Sequence, residues 1–194
     1  MNKYESQNPT EGIIRKAEVY DIPNILKLLR ENLGQNLHEE NRKKEGFLSF
    51  NPTEEELINI INDTGVIISM KGSELKGYFI TLSKELASKS PFWEEMLSSA
   101  QNIQYEGKKV KDYNYALIGQ ICVEKSFRGG ITFSKLYSTT ATMLREIGYE
   151  IAIGEIAGDN SKSLAVHSFL KEIGVYKSIS GQEWHIVILD LMKD

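Results

Sequence analysis

Cysteine is nearly absent: Cys122 alone stands in 194 residues, which excludes an internal disulfide and a zinc site built from several thiolates. An intracellular protein is the simpler expectation. His38, His167 and His185 are scattered along the chain, so no metal site is expected. No apolar run approaches the roughly 18 residues needed to cross a bilayer, and the opening MNKYESQNPTEG lacks the apolar core of a signal peptide. A soluble, cytoplasmic protein is therefore expected. Neither sign of charge dominates: the net charge is −4 with acidic and basic residues interspersed, which gives no large surface for nucleic acid or an anionic membrane. There is no Gly-x-Gly-x-x-Gly and no Gly-Lys-Ser/Thr, so dinucleotide and P-loop sites are not indicated.

What is present is ordinary globular composition, 41% hydrophobic and 26% charged with four prolines. Residues 1–11 read as a flexible tail and 12–194 as one domain, long enough to bury roughly 70% of its unfolded surface. Ile13-Ile14-Arg15 suggests a short strand. Asp21 suits a helix N-cap with Pro23 in the first turn, followed by Ile22, Ile25, Leu28, Leu29 and Leu33 at helical spacing. Thr53 and Glu56 form a capping box for a second helix carrying Leu57, Ile58, Ile60 and Ile61. Residues 66–70 and 75–82 are β-rich runs joined by Lys71-Gly72-Ser73-Glu74, a hairpin signal. Residues 84–112, with Pro91, Phe92, Trp93, Met96 and Leu97, read as an insertion before a central strand at 116–123.

A helix follows over about 131–147, then a strand over 149–156. Gly158-Asp159-Asn160 ends that strand, and Leu164, Val166, Leu170 and Ile173 predict a helix reaching Gly174. Residues 176–180 and 184–191 predict a closing hairpin. The order implies an α/β fold: a mixed, mostly antiparallel central sheet flanked by helices. Within it the stretch ALIGQICVEKSFRGGITFSKLY, residues 116–137, reads as strand, charged turn and amphipathic helix. A helix start preceded by glycines and flanked by Arg128 and Lys135 offers free N–H groups and positive charge to a phosphate.

The element order, the opening IIRKAEVYDIPNILKLL, the turn from Val123 through Arg128-Gly129-Gly130, and Asn160-Ser161-Lys162-Ser163 leading to Ile173-Gly174-Val175 resemble the GNAT N-acetyltransferase superfamily. The resemblance covers about residues 13–191 apart from the insertion. It implies transfer of an acetyl group from acetyl-CoA to a primary amine of a small molecule or peptide, by direct attack on the thioester. It also implies that amides from Phe127 through Arg128, Gly129, Gly130, Ile131, Thr132 and Phe133 hold the pyrophosphate, with Arg128 adding charge. Ile121, Cys122 and Val123 would border the cofactor along the strand, Asn160 would bond its pantetheine arm, and the Val123 N–H would meet the oxyanion. The chain departs from the family where Ile131 and Phe133 replace small residues. It also places no tyrosine where the last helix often carries a general acid.

Attack requires a neutral amine, and an alkylamine of pKa about 10.4 is neutral about once in a few thousand molecules at pH 7. A proton acceptor therefore matters more than a proton donor. Glu124 beside the turn can act through water or be a solvated carboxylate. Gln120 can orient a water or pack in the strand. His167, with an ordinary pKa near 6.5, can handle a proton or be structural. Cys122 is a strand cysteine, more in keeping with a small core residue than a nucleophile. A noncatalytic acyl-CoA-binding or regulatory module on the same fold is the alternative reading. The closing hairpin offers an edge for a homodimer.

Overall fold

The structure is a computed structural model that describes residues 12–193; the expected tail at 1–11 lies outside the described residues. The chain runs β1 (Ile13–Lys16), α1 (Ile22–Asn32), α2 (Glu39–Glu45), α3 (Glu54–Asn62), β2 (Val66–Lys71), β3 (Glu74–Ser83), α4 (Lys84–Ala87) and α5 (Glu94–Ala100). It continues through β4 (Gln104–Tyr105), β5 (Lys108–Lys109), β6 (Tyr115–Val123), α6 (Thr132–Glu146), β7 (Ile151–Ala157), α7 (Ser161–Val166), β8 (Lys171–Lys177) and β9 (Glu183–Asp190). Seven strands form one sheet in the order β1-β2-β3-β6-β7-β9-β8. Only β6 and β7 pair in parallel; the other neighbours are antiparallel. The mixed, mostly antiparallel sheet expected from the sequence is thus present.

Alternation along the strands divides the core between two faces. On one face Ile68, Tyr78, Ile80, Leu117 and Ile153 pack with α1, α3 and α5; on the other Ile67, Phe79, Ala116 and Ala152 meet Leu136, Tyr137, Met143 and Leu144 of α6. Residues of β3 opposite β6 lose register between Ile80, paired with Gln120, and Thr81, paired with Ile118. The extra residue is Gly119, where an added Cβ would lie 2.6 Å from Leu82 Cδ1. This bulge inverts the strand's parity. Beyond it Cys122 faces α1 and α3, and Val123 faces α6.

Several local expectations hold for local reasons. Thr53 accepts from the Glu56 N–H while Glu56 returns a bond to Thr53 N–H, closing the predicted capping box. Gly72 turns the β2–β3 hairpin at φ +60°, a conformation that favours glycine. Other expectations fail. Asp21 does not cap α1 through its side chain; its carboxylate is taken by Arg15 at 2.7 and 2.8 Å. Glu39–Glu45 forms a helix in a stretch that has no apolar period to reveal it. The predicted helix reaching Gly174 stops at Val166, and Lys171–Lys177 is a strand. There the ladder to β9, bulged between Glu172 and Gly174, overrides the coincidental helical spacing of Leu170 and Ile173. Residues 84–112 fold as α4, α5 and the β4–β5 hairpin, anchored by Trp93, Met96 and Val110 in the core.

Candidate functional site

Pairing between β6 and β7 covers only Tyr115–Leu117 against Ile151–Ile153. Past it the strands part, and Gly154 sits in the crotch, where a Cβ would stand 2.9 Å from Ile118 Cβ. The gap opens a cavity of about 100 Å³ lined from both faces of the sheet, by Phe50, Trp93 and Glu155 on one and Tyr137, His167 and Leu170 on the other. Beside it a cleft of about 330 Å³ runs along Ile121, Cys122 and Val123 to Arg128, Gly129, Gly130 and Phe133. Phe47, Leu48, Ile121, Asn160, Ser163 and His167 line both cavities, so these residues mark where the two meet.

The larger cleft ends at the first turn of α6, whose opening N–H groups have no intrahelical acceptor and no side-chain cap on the Ile131 side. Gly129 adopts φ +78° with open space around it. Glu124 N–H donates to Lys76 O at 2.9 Å, and Val123 stands opposite Gly77. Antiparallel alternation therefore turns the Val123 N–H and C=O away from β3, toward the side β7 has left. The Val123 carbonyl accepts from Arg128 Nε at 3.0 Å.

Arg128 and Asn160 border the cleft, but both are already engaged. The Arg128 guanidinium also donates to Asn32 Oδ1 at 2.6 Å and Glu45 Oε2 at 3.0 Å, tying α1, α2 and the glycine turn together. Asn160 Oδ1 caps α7 by accepting from Ser163 N–H at 3.2 Å, and Nδ2 donates to Phe47 O at 2.9 Å. Three turn residues lie outside both cavity walls. Phe127 sits under Lys71 and Lys76, with Nζ 5.5 and 5.0 Å from its ring centroid, Thr132 is buried, and Ile131 is exposed.

Of the candidate proton-handling groups, Glu124 is half-buried and accepts from the Ser126 hydroxyl and N–H, and that bonding keeps its carboxyl below the usual range. It too lines neither cavity. Gln120 is buried and donates to the Tyr78 hydroxyl at 2.7 Å. Burial pushes the Cys122 thiol up to about 12, so almost none is thiolate at neutral pH. His167 is 9% exposed, and burial lowers its pKa below 6.5. Its Nδ1 lies 2.8 Å from Ser163 O; a carbonyl only accepts, so the proton is on Nδ1 and Nε2 carries the free lone pair.

Two residues absent from the sequence-based candidates share this cavity. Glu155, two positions past the last β6–β7 pair, has its carboxyl raised to about 7, first by burial, against the opposing hydrogen bond from the Tyr176 hydroxyl. A lone carboxylate inside the apolar strand IAIGEIA was the signal available. Tyr137, on α6, has a buried hydroxyl with no hydrogen-bond partner among the described residues, and burial raises its pKa well above 10. Its ring lies 5.6 Å from that of His167 and 5.0 Å from that of Phe133. No group of three or more His, Cys, Asp or Glu among the described residues could hold a metal ion. No helix among them is long and apolar enough to cross a membrane.

No protein-family model and no curated protein matches the chain. Solved structures do. The ribosomal-protein-alanine N-acetyltransferase from Brucella melitensis is 18% identical with a TM-score of 0.59, over 91% of this chain and 98% of that one. The polyamine N-acetyltransferase of Drosophila melanogaster is 12% identical with a TM-score of 0.62, over 91% and 98%. The protein yncA from Salmonella typhimurium, solved with its cofactor acetyl-CoA, is 12% identical with a TM-score of 0.58, over 92% of each chain. The fold is that of the GNAT acyltransferases.

Proposed function

We propose that this protein is an N-acetyltransferase that moves an acetyl group from acetyl-CoA to a primary amine. The observation that carries the reading is the junction of two cavities at the β6–β7 splay, one ending on an uncapped helix N-terminus and the other holding an isolated carboxylate. The larger cleft suits acetyl-CoA: the first amides of α6 with Gly129 and Gly130 take the pyrophosphate, and the exposed edge of β6 from Ile121 to Val123 faces the pantetheine arm. Bound acetyl-CoA supplies the activated thioester carbonyl. Arg128 holds the turn in shape rather than meeting the phosphate directly, since its guanidinium is bonded to Asn32, Glu45 and Val123.

Within that frame Glu155 is the proton acceptor. A carboxyl raised to about 7 by burial is a stronger base than an ordinary one and is still about half ionised at pH 7, so it can accept a proton from the bound ammonium. The freed amine attacks, and the Val123 N–H meets the oxyanion, a contact worth about 3 kcal/mol in the transition state when preorganised. As the C–S bond breaks, the Tyr137 hydroxyl donates its proton to the departing sulfur and takes up the extra proton still held by the attacking nitrogen, so that the amide and thiol leave neutral and the one proton released stays on Glu155. His167, neutral and with Nε2 free, lines the junction and orients the amine. Neighbours named for alanine and polyamine acetylation fit an amine acceptor. The reading takes the site of action as cytoplasmic.

Thermal unfolding with and without acetyl-CoA tests the cofactor; a ligand at 100 times its dissociation constant adds about 2.7 kcal/mol of stability. No stabilisation at millimolar acetyl-CoA or CoA refutes the reading. Thiol release from acetyl-CoA on adding amines then separates an enzyme from an acyl-CoA-binding module, which stabilises but releases nothing.

A further inference from the structure

We infer that the acceptor is a monoamine with a short apolar body, a small alkyl chain, rather than a polyamine or a polypeptide amino terminus. The inference rests on the acetyl-transfer reading and names the substrate class of that same site. Glu155 is the only carboxylate among the residues that line the smaller cavity. One of its oxygens accepts from Tyr176, and Oε1 has no hydrogen-bond partner among the described residues. That leaves one anionic position, for one ammonium.

The wall that faces it is aromatic. Phe50, Phe92 and Trp93 form a mutual cluster with centroids 4.6–5.1 Å apart. Trp184 of β9 adds another ring to the cavity lining. The nearby Glu95 is not part of the lining, and its Oε2 accepts from Ile179 N–H at 3.0 Å. A second ammonium reaching this wall would be desolvated without an anion, which is unfavourable. Size points the same way. A cavity of about 150 Å³ is enough to admit benzene, and this one is about 100 Å³. It has room for a short apolar body but not for an extended peptide segment with its backbone polar groups to satisfy.

The test compares n-butylamine with putrescine, which has the same carbon chain and one further ammonium, and with an alanine-initiated peptide, by thiol release from acetyl-CoA. The expected result is a kcat/KM for butylamine at least tenfold above either competitor. Phe92 is 39% exposed, so Phe92→Asp is compatible with folding and places a second anion on the wall. It should shift the butylamine-to-putrescine ratio at least tenfold toward putrescine while leaving the dissociation constant for CoA unchanged. Preference for putrescine or the peptide in the unaltered protein, or an unchanged ratio in Phe92→Asp, overturns the inference and leaves acetyl transfer standing. Absence of thiol release with every amine, despite CoA binding, overturns both.

Discussion

Replacing Glu155 with Gln tests the proposed proton acceptor through stability as well as rate. The substitution keeps the shape and retains an oxygen for the Tyr176 hydroxyl, so what it removes is the titration. In the folded protein the Glu155 carboxyl titrates near 7 instead of its ordinary 4.5. Between those values the native state binds more protons than the unfolded chain, so the group's contribution is full below about 4.5 and is lost as pH rises through about 7. The difference between 4.5 and about 7, at about 1.4 kcal/mol per pH unit, comes to roughly 3 kcal/mol. Glu155→Gln should therefore match the unaltered protein near pH 4.5 and exceed it by up to roughly 3 kcal/mol at pH 8.5. For a domain of this size that is about 6–12 °C in Tm. Urea or thermal unfolding of both proteins across that range reads the difference directly, because every other titrating group cancels. Parallel curves would refute the buried, raised carboxyl. In the same variant kcat/KM at pH 7 should fall about 10²–10⁴-fold, and its acid limb near pH 7 should disappear.

Tyr137→Phe should raise Tm, because removing a buried hydroxyl with no partner relieves a desolvation cost of about 1–3 kcal/mol, while kcat for acetyl-CoA falls; a lower Tm or an undiminished kcat counts against the proton-donor role. Arg128→Lys should weaken CoA binding and lower Tm together, since one ammonium cannot span Asn32, Glu45 and the Val123 carbonyl as the guanidinium fork does. Calorimetric titration with CoA that gives an unchanged affinity sinks the clamp assignment. Cys122 should resist thiol alkylation in the native protein, with its pKa at about 12. Cys122→Ala should keep at least half of kcat, and rapid native labelling would contradict its buried position.

The parts of the site that were legible in the sequence are those that backbone rules dictate locally. Gly129-Gly130 before an amphipathic helix announces a helix start with open amides from neighbours alone, and the Thr53–Glu56 box and the Gly72 turn are equally local. Arg128 and Asn160 were legible as members of the site but not in their duties, because their partners Asn32, Glu45 and Phe47 are more than 80 residues away in sequence. Tyr137 looks like any apolar-face residue of α6; only the opened β6–β7 gap makes it part of a cavity wall. The helix expected to reach Gly174 failed for a related reason. Lys171–Lys177 is an edge strand whose state is set by β9 rather than by its own period.

The Gly119 bulge and the Gly154 crotch account for why the proposed proton acceptor and proton donor lie on opposite faces of one sheet. Without the bulge, Val123 would turn toward α1 and Cys122 toward α6, since a one-residue shift inverts every later side chain. With it, Gln120 and Cys122 are locked into the α1 face, Gln120 through Tyr78, and the backbone of Val123 is presented to the gap. The early end of β6–β7 pairing then leaves Glu155 on the aromatic face and Tyr137 with His167 on the α6 face, with only the open slot between them. A reaction in that slot has a carboxylate on the side from which a cationic amine would lose its proton. On the other side it has a hydroxyl where a thiolate would gain one. Two carboxylates crowded on one side would instead raise each other's pKa. A methyl group added at Gly154, which would stand 2.9 Å from Ile118 Cβ, should therefore wedge β6 and β7 further apart and misalign both proposed proton transfers at once, read as a fall in kcat with no change in CoA affinity.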